Sequence, residues 1–185
     1  MSDVSQWLTY WAAHTPDAPA VIMDGRVLTY EHLADRVARL AAGLREEGVG
    51  PGDRVGWLGH NAPEFFEVVM ACARIGAIFV PVNDRLVGEE LAYIAGHAGL
   101  SALVTQTSFD GVLGALEDVV PARRMFFTDG GDGRPLDDLR SAQAVWCSDD
   151  VDMDSALFIC YTSGTTGRPK GAVLTHANLR TTANS

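Results

Sequence analysis

Four serine and threonine hydroxyls, three glycines and one lysine crowd into the eleven residues YTSGTTGRPKG, from Tyr161 to Gly171. Thr162, Ser163, Thr165 and Thr166 can each donate a hydrogen bond to a phosphate oxygen. Gly164, Gly167 and Gly171 permit backbone angles closed to other residues and let an anion approach the main chain. A strand that ends in such small residues exposes successive N–H groups, which form a concave anion cradle. Lys170, beside the stiffening Pro169, is the mobile cation placed to reach a polyphosphate tail. The pattern is not GxxxxGK[ST], because Pro169 separates Gly167 from the lysine and Gly171 follows it. A solvated Gly/Thr hairpin is the plain alternative.

Other chemistry is weakly signalled. Asp150, Asp152 and Asp154 imitate the opening of a calcium loop, but Ser155 and Tyr161 stand where that loop needs Gly and Glu, so a turn is expected. GVGPGD (48–53) precedes a strand, whereas a dinucleotide fingerprint follows one. Cys72, Cys147 and Cys160 show no CxxC spacing and read as small buried thiols in a reducing compartment. With 14 basic and 24 acidic residues the chain carries a formal charge of −10, which argues against a nucleic-acid surface. The apolar stretch 68–82 contains Arg74, Gly76 and Pro81 and is too short to span a bilayer. The start, MSDVSQWLTYW, lacks the basic leader of a secretory signal, so a cytoplasmic protein is expected.

The elements that must hold the Tyr161–Lys170 run follow from periodicity. At 185 residues one domain is expected. Trp7, Leu8 and Trp11 share a helical face, and Asp24-Gly25 between two β-prone runs predicts a hairpin. Leu33, Val37, Leu40, Ala41 and Leu44 form a one-sided stripe over 31–48. Strands are then expected at 53–60, 78–82, 101–106 and 123–129, alternating with helices at 63–76, 88–99 and 109–119. That alternation is the pattern of an α/β fold with a mostly parallel sheet flanked by helices. The helix at 63–76 is apolar nearly all round and should be covered on both sides. SALFICYT (155–162) reads as a strand buried on both faces. GAVLTH (171–176) is a second strand, and Thr175 or His176 opens a last helix.

At Tyr161–Gly171 the chain resembles the nucleotide-binding signature of the adenylate-forming superfamily, which includes acyl-CoA synthetases, peptide-synthetase adenylation domains and luciferases. TPDAPAVIMDGRVLTYEHLADRVARLAAGL and GDRVGWLGHNAPEFFEVVMACARIGAIFVPVNDRL are similar to the blocks that precede it. Pro81-Val82-Asn83, with Arg85-Leu86, looks closer to acyl-CoA synthetases than to peptide-synthetase domains.

The resemblance implies ATP-dependent activation of a small-molecule carboxylate to an acyl-adenylate, then transfer to coenzyme A. Thr162, Ser163, Gly164, Thr165, Thr166 and Gly167 would wrap the β- and γ-phosphates. Lys170 would supply catalytic positive charge, Mg2+ would bridge phosphate oxygens, and His176 would be structural. It covers only the first part of such enzymes. Residues 1–185 are thus expected to be a partial amino-terminal domain. The magnesium-linked Glu, the ribose-binding Asp and the lid lysine would lie elsewhere, and these residues alone would form no acyl-adenylate. Two alternatives stay open: an adenylation domain loading a carrier protein, and a non-catalytic module that self-associates as a homodimer through exposed apolar surface.

Overall fold

The computed structural model describes residues 3–86, 88–131, 133–144, 151–162 and 168–183. Helix α1 (Ser5–His14) leads into the hairpin β1 (Pro19–Met23) and β2 (Arg26–Thr29). Asp24 and Gly25 both have positive φ, 50° and 75°, as the tight turn between twisted antiparallel strands requires. Thr29 caps α2 (Tyr30–Glu46), its Oγ1 accepting from the His32 N–H at 3.3 Å. Then follow β3 (Arg54–Leu58), α3 (Pro63–Ile75), β4 (Ile78–Pro81), α4 (Gly88–Ala98) and β5 (Leu100–Thr105). A short α5 (Asp110–Leu113) precedes β6 (Met125–Phe127), β7 (Arg134–Pro135) and α6 (Leu136–Arg140). The chain continues through β8 (Ala156–Thr162), β9 (Lys170–Thr175) and α7 (His176–Ala183).

Seven strands form one sheet in the order β7-β6-β5-β3-β4-β8-β9, separate from the β1-β2 hairpin. Every pairing in it is parallel except β8 with β9. Side-chain alternation divides the core. Val55, Trp57, Phe79, Val104 and Phe126 face α2, α3 and α6. Leu58, Val80, Leu103 and Met125 face α4 and the segment around Phe109 and Leu116. Phe79 sits at the centre of the first of these layers, with edge-on contacts to Phe65 at 5.0 Å and Phe158 at 5.5 Å.

Three expectations need correction. The helix expected over 109–119 is broken: 3-10 turns at Thr107–Phe109 and Gly114–Leu116 bracket a four-residue α5. Gly111 and Gly114 each weaken helix by about 1 kcal/mol, and burial of Phe109 and Leu116 shapes the segment instead. Arg134–Pro135 and Leu136–Arg140 add β7 and α6, elements too short to show a period in the sequence. Helix α3 is buried from Glu67 to Ile75 apart from the half-buried Met70, but its first turn is not covered: Pro63, Glu64 and Phe65 are half-buried and Phe66 is exposed. Strand β8 is not buried on both faces. Leu157 is fully buried, but Phe158 to Tyr161 are half-buried, because the next strand, β9, is a margin with Val173 and Leu174 exposed.

Helix α3 also carries what no local pattern announces. Glu67 is fully buried, with Arg140 Nη2 at 2.5 Å and Arg36 Nη1 at 3.1 Å. Burial pushes its carboxyl up, while the Arg140 and Arg36 guanidinium groups oppose that shift. Arg140 is itself held by Asp137. Among the described residues no helix is long and apolar enough to cross a membrane.

Candidate nucleotide site

The parallel strands end together along one rim. Helix α3, which follows β3, packs in the α2–α3–α6 layer, whereas α4, which follows β4, packs against the opposite face. Neighbouring strands whose connections leave to opposite faces open a crevice at their carboxyl ends, the usual binding position in open α/β sheets. Such a cleft, about 510 Å³, lies between the β3 and β4 ends and includes Trp57, His60, Asn61, Asn83 and Asp84. A second, about 330 Å³, lies on the α4 side and is lined by Asn83, Glu90, Tyr161, Thr162 and Pro169. The two share Pro81, Val82 and Asn83.

The stems of the loop read as a phosphate cradle meet at the second cleft. Thr162 ends β8 and pairs directly with Lys170, which begins β9; Tyr161 pairs with Gly171. Both Thr162 and Lys170 are exposed. The structure therefore brings the first and last of the expected site residues together, on the carboxyl end of a strand that runs parallel with β4. Ser163, Gly164, Thr165, Thr166 and Gly167, between them, lie outside the described residues, as do Cys147 and Asp150.

Gly171 has a different role from the one its place in the run suggests. It is not among the glycines with positive φ. A Cβ there would lie 2.6 Å from Ile159 Cγ2 and 3.3 Å from the Tyr161 ring, so the glycine makes room for the opposite strand. The cation set is also larger than Lys170. The Arg168 guanidinium sits 5.4 Å above the Tyr93 ring on α4. Tyr161, in turn, shares a 2.7 Å hydrogen bond between its hydroxyl and His97 Nδ1. Burial, and then Tyr93, raise the Tyr161 phenol, so it stays neutral and able to donate. Sequence spacing along the run could not find these contacts, because Tyr93 and His97 lie on another helix. Their i,i+4 spacing on one face of α4 was the available signal.

The remaining expected residues are placed as follows. His176 opens α7 after Thr175, whose Oγ1 accepts from the Asn178 N–H. Its ring is buried, and Nδ1 accepts from the Val4 N–H at 3.2 Å, tying the amino-terminal segment to the end of the sheet. Burial holds this imidazole below its ordinary value, with Asp3 opposing. Asp152 accepts from the Asp154 N–H through its carboxylate, in a turn that leads into β8. His60, unremarked in the sequence, has its N–H bonded to Gln106 Oε1 at 2.8 Å and its Nδ1 3.2 Å from Asp84. Cys72 is buried and Cys160 half-buried; burial raises both thiols.

A family model described as AMP-binding enzyme matches residues 8–185. The chain is 41% identical over 176 residues to a feruloyl-CoA synthase from an Amycolatopsis species, covering 95% of this chain and 34% of that protein. It is 34% identical over 183 residues to the fatty acid–acyl-carrier-protein ligase ScoC of Streptomyces coeruleorubidus, covering 94% and 33%. Among solved structures, the inhibitor-bound amino-terminal domain of FACL13 from Mycobacterium tuberculosis superposes with a TM-score of 0.83 at 31% identity. That match covers 95% of this chain and 45% of the other. The chain thus spans about a third of the length of the curated relatives it matches.

Proposed function

Because the chain belongs to the AMP-binding enzyme family, we propose that it is the amino-terminal part of an ATP-dependent carboxylate-activating ligase, with coenzyme A as acyl acceptor. The observation that carries this reading is the pairing of Thr162 with Lys170 at the mouth of the β8–β9 hairpin, beside a cleft at the carboxyl ends of parallel strands. Residues 1–185 are then part of a nucleotide-binding domain, completed in the intact enzyme by further domain and lid.

The donors present suit a polyphosphate. Attack of one anion on another requires fixed positive charge and hydrogen-bond donors where charge builds up on the leaving pyrophosphate. Thr162, with Ser163, Thr165 and Thr166, would donate to the β- and γ-oxygens, and Gly164 and Gly167 would let the backbone approach. Lys170 is exposed and free to swing toward the phosphates. Among the described residues no cluster of His, Cys, Asp or Glu is suited to a metal. Mg2+ would neutralise charge on the phosphate oxygens when bound. Coenzyme A is favoured over a carrier thiol because the relative at 41% identity is a CoA synthase and the carrier ligase stands at 34%. Thioester formation offered with each acceptor separates them.

In the native protein, Lys170→Ala should lower ATP–pyrophosphate exchange about 100-fold, the scale for removing one donor that stabilises charge in the transition state. It should leave the KM for the carboxylate unchanged. Residues 1–185 alone should show no exchange. Unchanged turnover and Mg·ATP affinity in Lys170→Ala overturns the assignment. A homodimer formed through apolar surface is a second reading, favoured by the exposure of Trp11, Ile22, Phe66 and Val173. It is compatible with the first.

A further inference from the structure

The imidazole of His176 joins segments 172 positions apart. Its Nδ1 accepts the Val4 N–H at 3.2 Å, and the ring is fully buried. A neutral imidazole has one acceptor nitrogen and one donor nitrogen, so the proton sits on Nε2. That nitrogen is buried too, with no hydrogen-bond partner among the described residues. The main chain beside the ring is fixed independently. The His176 N–H donates to the Ser155 carbonyl at 3.2 Å and the Ala177 N–H to the Met153 carbonyl at 2.8 Å.

The segment tied to this ring lies outside the main core. Val4 packs with Ala73 of α3 and Leu157 of β8 in a satellite cluster edged by Trp7 and Leu179. The rest of α1 is held elsewhere. Leu8 belongs to the main core, Arg74 Nη2 donates to Thr9 Oγ1 at 3.2 Å, and Trp11 lies against Tyr30. A proton added to Nδ1 turns the acceptor into a donor that faces the Val4 N–H. It also leaves a charged ring whose second N–H is buried and unpaired. Turning the ring over relieves neither conflict, because both nitrogens of an imidazolium carry hydrogen.

Asp3 is the charged group whose field favours the imidazolium. Its carboxylate accepts from the Ser5 N–H, the Ser5 hydroxyl and the Gln6 amide. On the neighbouring elements, Arg74 of α3 is bound to Thr9, and Glu64 and Glu67 are engaged by Arg140. Asp152 and Asp154, before β8, and Arg180 on α7 are exposed.

We propose that His176 is a proton-operated joint: neutral, it holds residues 3–7 against β8, and on taking up a proton it releases them while the rest of α1 and the sheet stay folded. Such a local opening needs less free energy than unfolding the domain, so it occurs first. It uncovers Ala73 and Leu157, the latter on the strand that ends in Thr162. The sign follows from burial. The docked ring binds its proton less readily than the released one, so docking is complete above the ordinary value of 6.5 and weakens as pH falls below it.

Amide hydrogen exchange in the native protein tests this, with the intrinsic rate divided out at each pH. Protection at Val4 and Trp7 should fall by up to about tenfold per pH unit below 6.5, the limit for one proton taken up on opening. Protection at Val55 and Leu103 in the sheet should not change. His176→Asn keeps an acceptor but cannot titrate, and its Val4 protection should be flat with pH. The His176 ring signal of the native protein should titrate over the range in which Val4 protection is lost, which decides the matter if the variant does not fold. Val4 protection that is flat in the native protein overturns the joint. So does a fall shared equally by Val55 and Leu103, which is global unfolding, or a ring titration outside the range of the loss. A pH dependence that survives in His176→Asn also overturns it and moves the switch to Asp3.

Discussion

Glu67 and Val173 invert the usual relation between polarity and exposure. The carboxylate on α3 is fully buried, whereas the valine on β9 is 57% exposed. Around Glu67, the helices α2, α3 and α6 close over the sheet, and Arg36 and Arg140 come in from the first and last of them. Around Val173 the sheet ends, and β9 has a neighbour on one side only among the described residues. Burial therefore follows from which element stands beside a residue, not from the residue's own character. The helical layer is closed and neutralised around Glu67, although Phe66 on the outer side of α3 stays exposed. The β8–β9 margin, where the proposed site lies, spends its residues on polar joints and leaves apolar surface uncommitted.

The strongest way to break this contrast is to unbalance the frame. Replacing Arg140 by Met removes the guanidinium that contacts Glu67 at 2.5 Å and leaves Arg36 alone against a buried carboxylate. Breaking such a pair costs about 3 kcal/mol or more, because the remaining charge is uncompensated. The carboxyl, already raised by burial, should rise further. A raised carboxyl makes the folded protein hold its proton longer than the unfolded chain does. The variant should therefore be least unstable below the ordinary carboxylate value and lose stability as pH rises through the raised one. Urea denaturation at several pH values measures this. A loss below about 1 kcal/mol, flat with pH, would mean that the layer is not closed around Glu67.

A smaller effect is expected at the polar joint of the margin. His176 must be neutral to accept the Val4 N–H at Nδ1, and burial depresses its pKa against the opposing field of Asp3. The folded protein thus takes up this proton later than the unfolded chain. The contribution is complete above the ordinary value of 6.5 and is lost as pH falls toward the depressed one. His176→Asn keeps an acceptor but cannot titrate. Its denaturation midpoint should fall less than that of the parent between pH 7.5 and 5.5. Parallel profiles would remove His176 from the account of this joint.

The same contrast explains what could be read from the sequence. The mostly parallel sheet flanked by helices followed from the β–α alternation, and the Asp24-Gly25 turn from two adjacent residues, because those signals are local. The stems of the proposed site were legible for the same reason, since Thr162 and Lys170 belong to one contiguous run. Contacts that cross the fold were not. Glu67 and Arg140 are 73 positions apart, and His97 and Tyr161 are 64 apart. Neither pair leaves a mark on spacing or composition. The expected double burial of β8 was wrong for a related reason: an apolar run shows what a strand can bury, while its cover is supplied by other elements.

The smallest expected effect decides how finished the margin is. Val173→Thr keeps the β-branch that suits a strand and exchanges one methyl for a hydroxyl at an exposed position. In the described chain it should change stability by no more than about 0.5 kcal/mol, as surface substitutions do. If Val173 is covered in the native protein by further domain or by a second copy, the hydroxyl would be buried without an assured partner. The cost would then exceed about 1 kcal/mol. Light scattering divides those two covers. A concentration-dependent mass that falls on Val173→Thr identifies a second copy. A constant monomeric mass, with the same loss of stability, identifies cover from the protein's own chain. No loss of stability with no change in mass leaves β9 an open margin, and the contrast with the closed layer around Glu67 then stands in its sharpest form.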